Sequence, residues 1–143
     1  MKKALVVTLL TIAAATSTVA VMSQTKDTCT INKVVDGDTV HATCSNEKKK
    51  IRLTTIDAFE SKRNQRAYRQ AYEQRLDLDE VIRRGKKATE IAKSELEGKE
   101  VTVKYQDDTI KDRYNRDLGE IYIDGVDINN KMLKEHPDVF LKY

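Results

Sequence analysis

Between residues 34 and 60 the chain reads VVDGDTV and then IRLTTIDAFE, which sets Asp36, Asp38, Asp57 and Glu60 around two strand ends with Arg52 between them. Four carboxylates with no histidine or free thiol at ligand spacing make an oxygen-only donor set, which suits calcium first and magnesium second. Arginine is the cation suited to phosphate, because its planar fork holds two oxygens at once. Another arginine, Arg116, lies in DRYNRDLGEIYIDG at 112–125, in a turn leading into an apolar-alternating strand. A hard metal beside guanidinium groups would stabilise the negative charge added at a phosphoryl centre under attack. Glu60, three residues past Asp57, would orient or deprotonate water. Plainer readings stand beside these: an ordinary hairpin turn for Asp-Gly-Asp, half of a surface ion pair for Arg52, and a loop acid for Glu60.

Strands and helices must position these groups. Alternation and β-branched content predict strands at 29–35, 38–44 and 50–57, joined by Asp36-Gly37 and by the polar loop 45–49. From about Asn64 to Gly98 the period becomes helical, with one stripe at Tyr68, Ala71 and Tyr72 and another through Val81, Ile82, Gly85, Ala88, Ile91, Ala92 and Leu96. The tyrosine stripe reads as packing rather than base stacking. Asp79 is the expected N-cap of the second helix and Gly98 its stop. Strands resume at 100–105 and 118–123, and a helix from about Ile128 to Glu135 ends before Pro137. The fold class is mainly β with helices (α+β), in the order of an OB-type five-stranded barrel with a helical segment inserted after the third strand.

Register makes two further predictions. A two-residue turn at Asp36-Gly37 sets Cys29 opposite Cys44 as a hydrogen-bonded pair about 5.5 Å apart, within disulfide reach. If strands two and three pair around a loop centred between Glu47 and Lys48, Asp38 and Asp57 become cross-strand neighbours. Like charges placed so destabilise a sheet and call for a cation. Strict alternation sends Arg52 to the opposite face from Asp57, so a bulge or coiled strand is needed to unite them.

The first residues read as a targeting segment. Met1-Lys2-Lys3 and the apolar run Ala4–Ala15 read as a secretory signal peptide, cleaved after Ala20 or Ser23, with the working domain at 24–143; the alternative is an uncleaved membrane anchor. Two cysteines, an even number, agree with an oxidising compartment. Export implies a secreted or periplasmic protein with no stable membrane association after cleavage. Losing residues 1–20 removes two lysines and no acid, so the formal charge falls from +3 to +1. Phosphate recognition must then come from local clusters, namely Lys48–Lys50 with Arg52, Lys62–Arg69 and Lys111–Arg116, each of which could equally be a solvated face.

The three segments VVDGDTV, RLTTIDAFE and DRYNRDLGEIYIDG, in this order, resemble the staphylococcal nuclease (thermonuclease) family from about Cys29 to the end of the sequence. The resemblance implies an OB-fold enzyme that uses one calcium ion to hydrolyse DNA and RNA, single-stranded or denatured by preference, to products with 3′-phosphates. It implies that Asp38 and Asp57 bind calcium, with the Ala58 carbonyl as a further ligand and Asp36 behind them. Arg52 and Arg116 match the phosphate-binding catalytic arginines, and Glu60 matches the general base. Arg113, Tyr114 and Tyr143 match substrate-contact positions, and a monomer is expected. Three departures stand out. Ala58 and Phe59 replace a threonine and a proline, which is expected to loosen the Glu60 loop. Asp117 replaces a glycine and is expected to pair with Arg116 in competition with phosphate. The family's long C-terminal helix is not found before Tyr143. The alternative is a catalytically degenerate, secreted OB-fold module that binds nucleic acid.

Overall fold

The structure is a computed structural model that describes Ala13, residues 25–107 and residues 109–143. Apart from Ala13, the expected signal peptide and both candidate cleavage sites lie outside the described residues, as does residue 24 of the expected domain. No described helix is long and apolar enough to cross a membrane.

Five strands close a barrel. In chain order they are β1 (Lys26–Asp36), β2 (Thr39–Cys44), β3 (Glu47–Leu53), β5 (Glu100–Tyr105) and β6 (Asp117–Ile123), with the short strand β4 (Ile56–Ala58) between the third and fourth. The sheet runs β3-β2-β1-β5-β6, and a parallel pairing of β3 with β6 (Ile51 with Asp117, Leu53 with Gly119) brings its ends together. This is the expected OB-type barrel. Its inward positions are apolar: Ile31, Val40, Ile51, Leu53, Val103 and Ile121 are fully buried. β7 (Val126–Asp127) extends β6 through a tight turn, and the last strand, β8 (Phe140–Lys142), pairs with β4.

The predicted third strand is two strands. It bends after Leu53 at Thr54-Thr55, where Thr55 adopts a left-handed φ of 70°. The bend is held from three sides: Thr54 N–H donates to Gly119 O (3.0 Å), Asn129 Nδ2 donates to Thr54 O (2.7 Å), and Tyr143 N–H donates to Thr55 O (2.9 Å). Such over-determination is what a strained backbone conformation needs to persist.

The helical insertion also divides. α1 (Gln65–Gln74) starts at Asn64, whose side chain accepts from Ala67 N at 2.8 Å, and ends at left-handed Arg75. α2 (Leu78–Leu96) starts at Asp77, not at the expected Asp79, which instead pairs with Arg63 at 2.8 Å. Gly98, with φ at 77°, follows the helix as expected. The predicted α2 stripe holds: Val81, Gly85, Ala88, Ala92 and Leu96 are buried. The tyrosine stripe of α1 does not pack. Tyr68 is 60% and Tyr72 87% exposed, while Ala67 and Gln70 face inward. The tyrosines share the wrong phase of a helix whose small residues make the contact. α3 (Ile128–Glu135) follows β7, with Asp127 capping Asn130 N at 3.1 Å.

Cys29 and Cys44 are cross-strand partners and form a disulfide, as the register predicts. The turn differs. Two irregularities shift the ladder before its end, so Asp36 pairs with Thr39 and the turn residues are Gly37 and Asp38. The cysteine Cα atoms are 4.3 Å apart, the spacing of a non-hydrogen-bonded pair rather than the expected hydrogen-bonded one. The bridge spans a sequence separation of 15. Replacing both cysteines with alanine is therefore expected to cost about 3 kcal/mol under the chain-entropy account. Urea denaturation of the oxidised protein and the double variant measures it, and equal midpoints would refute it.

Candidate functional site

The site is built where the β1–β2 turn meets the β3–β4 bend. Gly37 makes this approach possible: a Cβ there would lie 2.6 Å from Ala58 Cβ and 2.9 Å from Ala88 Cβ. Asp36 Oδ1 accepts the Asp38 N–H at 3.1 Å, and the Asp38 carbonyl accepts Leu53 N–H at 2.8 Å. Asp38 Oδ2 in turn accepts the Ala58 N–H at 3.0 Å.

Asp38 and Asp57 do converge, but not as cross-strand neighbours. The β2–β3 turn lies at Ser45-Asn46, both left-handed, so Thr39 rather than Asp38 heads the ladder and its partner is Arg52. Asp57 arrives from β4, after the bend has changed the phase of the chain. The same bend removes the obstacle that alternation sets for Arg52. That side chain is buried (8% exposed), with Nη1 donating to the carbonyls of Leu53 and Ile56 (3.0 Å for Ile56). Its Nη2 lies 3.1 Å from Asp57 Oδ1 and 3.6 Å from Asp38 Oδ2.

Arg116 reaches the same corner from the loop before β6. Its Nε donates to Asp112 Oδ2 at 2.7 Å and its Nη1 to Thr39 Oγ1 at 2.9 Å. Thr39 Oγ1 lies 3.2 Å from Asp38 Oδ1, so this buried threonine links Arg116 to a carboxylate that Arg52 also faces. Asp117 does not compete for Arg116. It is buried, in ladder with Ile51, and pairs with Lys111 at 3.4 Å. The two arginines line a cleft of about 490 Å³ together with Lys104, Asp112 and Tyr143. Tyr143 is 83% exposed, and its ring centroid is 5.6 Å from Arg52 Cζ. Tyr114 is exposed beside Arg113 and Arg116, with centroid distances of 4.9 and 5.2 Å.

Three contacts escape the sequence reading. Gln70 on α1 is buried; its Nε2 donates to Ala58 O at 3.1 Å and its Oε1 accepts Glu60 N–H at 2.8 Å. Asn64 Nδ2 donates to Glu60 Oε2 at 2.9 Å. Arg66 pairs with Asp57 Oδ1, with its Nε 3.5 Å from Glu60 Oε1. Within the basic run 62–69 the only available signal is Arg66's place on the Gln70 side of α1. Phe59, expected to loosen the Glu60 loop, instead locks it. It is buried with Ala67 and Val81, and Arg84 lies 5.6 Å from its ring centroid.

The carboxylates are crowded enough to shift one another. Burial, and then the negative charge of Asp38, push Asp36 up to about 7. Burial also works on Asp38, but the Arg52 guanidinium and hydrogen bonds from neighbours hold it below the usual carboxylate range. Burial raises Asp57 against the opposing pull of Arg66. An oxygen-only set carrying surplus negative charge fits a hard divalent cation. Asp27 beside Cys29 and Cys44 does not make a second such site, because disulfide sulfurs are not thiolates.

A pH dependence follows for the chelator-treated protein. Asp36, with an ordinary value of 3.8, stays protonated in the folded state where the unfolded chain has ionised. Its contribution to stability is full below about pH 4 and is lost as pH rises through about 7. Asp36→Asn is expected to remove this loss, so the variant gains on the wild type from pH 4 to 7.5. Parallel denaturation midpoints across that range would refute it.

Residues 50–136 match the family model described as staphylococcal nuclease homologue. The chain belongs to the staphylococcal nuclease family. A protein of Escherichia coli O157:H7 named an uncharacterized endonuclease is 34% identical over 103 residues, covering 71% of this chain and 53% of that protein. An uncharacterized protein of Bacillus anthracis is 30% identical over 101 residues, covering 71% of this chain and 41% of its own length. The chain thus spans about half the length, or less, of these curated relatives.

Proposed function

We propose that this protein is an exported, calcium-dependent nuclease that hydrolyses DNA and RNA, acts on single-stranded or denatured substrate by preference, works as a monomer and leaves 3′-phosphates. The observation that carries the reading is that Arg52 Nη2 reaches Asp57 and Asp38 while Arg116 bonds Thr39, which itself contacts Asp38, with both arginines lining one open cleft. The staphylococcal nuclease membership and the relative named an endonuclease support it.

In this reading Asp38 and Asp57 hold the calcium, and Ala58 O, already bonded to Gln70, offers its second lone pair. Bound calcium supplies positive charge against the phosphate and its attacking water. Glu60, steadied by Asn64 and Gln70, takes a proton from that water as its oxygen bonds to phosphorus. Arg52 and Arg116 hold the phosphate oxygens as charge builds on them. The bond from phosphorus to the 5′-oxygen breaks, the departing 5′-oxygen takes up a proton from solvent to become a hydroxyl, and the phosphate stays on the 3′ side. Tyr143 and Tyr114 offer rings to the adjoining bases.

Heat-denatured DNA incubated with the oxidised protein is the test. Calcium-dependent cleavage, stopped by chelator and reduced at least 10²-fold in Arg116→Ala, is expected. Binding without cleavage by the folded protein would assign a degenerate binding module instead.

A further inference from the structure

The register of the β1–β2–β3 sheet places more than Arg52 on the outer face. Thr39 pairs with Arg52, His41 with Lys50, Thr43 with Lys48, and Lys33 with His41. Directly paired residues share a face, so Arg52, Lys50 and Lys48 form one row along β3, with Lys33 beside it on β1. Two residues along a strand advance about 6.8 Å, so the row runs about 13 Å outward from the cleft. Lys33, Lys48 and Lys50 are exposed, and a shallow groove of about 330 Å³ lies among them with Asn32 and His41. None of the three has a carboxylate partner among the described residues. Lys49, which also borders the groove, has the opposite parity and is paired with Asp27 at 3.0 Å. The acid of this hairpin, Glu47, has the parity of Lys49 and not of the row.

We propose that this row is a binding track for the sugar-phosphate backbone of a single-stranded nucleic acid, continuing the substrate strand outward from Arg52. It rests on the nuclease reading only for the point where the strand enters the cleft. Three findings carry it. The cationic side chains repeat at a spacing comparable to the phosphate repeat of an extended strand. The lysines have no carboxylate partner among the described residues, and they begin next to buried Arg52, whose guanidinium Asp57 and Asp38 hold. Along β3 successive cations are spaced within the roughly 8 Å over which charges reinforce one another at physiological ionic strength, and Lys33 stands two strands away across His41. The groove has no tyrosine, phenylalanine or tryptophan on which bases could stack, and its one ring, His41, is half-buried, so contact there is chiefly with phosphates. A protein whose net charge is near neutral acquires a local path for polyanions in this way.

The test is fluorescence anisotropy of a labelled 12-nucleotide single strand in chelator, over a salt series, for the full protein and for Lys48→Ala/Lys50→Ala. Loss of two phosphate contacts is expected to flatten the slope of log affinity against log salt by about 1.4, with binding weakened at low salt. Cleavage of a dinucleotide substrate in calcium is expected to be unchanged, while that of the 12-nucleotide strand slows. An unchanged salt slope overturns the track even if the wild type cleaves DNA. A flattened slope with no cleavage by the wild type keeps the track and overturns the nuclease. Equal weakening on the dinucleotide, or wild-type binding to phosphatidylserine vesicles as tight as to the strand, also overturns the track.

Discussion

Arg52→Ala is expected to lower cleavage of denatured DNA by about 10² to 10³, the usual loss for one donor aimed at developing charge. It is also expected to destabilise the fold by about 3 to 5 kcal/mol, because buried charges are left without their partner. Both effects come from one guanidinium. Its Nη2 stands between Asp57 and Asp38, and its Nη1 ties together the carbonyls on either side of the β3–β4 bend. Arg52→Lys separates the roles. A lysine keeps the charge but cannot bond two carbonyls and two carboxylates from one plane. It should recover part of the stability and little of the rate. Urea denaturation and single-turnover cleavage of the folded variants are the measurements. Near-wild-type cleavage by Arg52→Ala would remove Arg52 from the reaction.

The barrel and its disulfide were legible because their signals are local. Alternation, the glycine turns and the pairing of Cys29 with Cys44 depend on residues close in sequence. That Asp38, Asp57 and Arg52 come together was legible, but the geometry that unites them was not. Asp38 and Asp57 meet, yet the register expected to unite them is off, because Ser45-Asn46 makes a tighter turn than the polar run implies. What unites them is the left-handed Thr55, a threonine that no propensity would place there. Its conformation is imposed by Gly119, Asn129 and Tyr143, at least 64 residues away in sequence. Gln70 and Arg66 were hidden for the same reason. A helix presents every residue to some neighbour, and only the tertiary fold says that α1 turns this side toward Ala58, Asp57 and Glu60. The departures at Phe59 and Asp117 were visible but misread, since burial beside α1 and α2 and pairing with Lys111 give each a structural place.

Gly85→Ala inverts an ordinary expectation in a way that isolates the Glu60 loop. In an exposed helix interior that change stabilises by about 1 kcal/mol. Here an added Cβ would lie 2.6 Å from Ser61 N and closer still to the Glu60 carbonyl, backbone against backbone with no side chain to swing aside. Relief requires α2 and the loop to separate, at an overpacking cost of about 1 to 3 kcal/mol. Separation also shifts Glu60 relative to Gln70 and Asn64, which hold it from α1 and its cap. A displacement near 1 Å at a reacting group can cost about 10² in rate. The expected signature is therefore a fall in kcat of that order with little change in KM, in a protein that is still folded at the assay temperature. Leu96→Ala, at the far end of the same helix, supplies the comparison. It should cost about 2 to 5 kcal/mol through the cavity it leaves, yet spare kcat, because Leu96 packs in the main core and not against the loop. If Gly85→Ala keeps its kcat while losing stability, the loop tolerates the shift, and Glu60 is not the group whose position limits the chemistry.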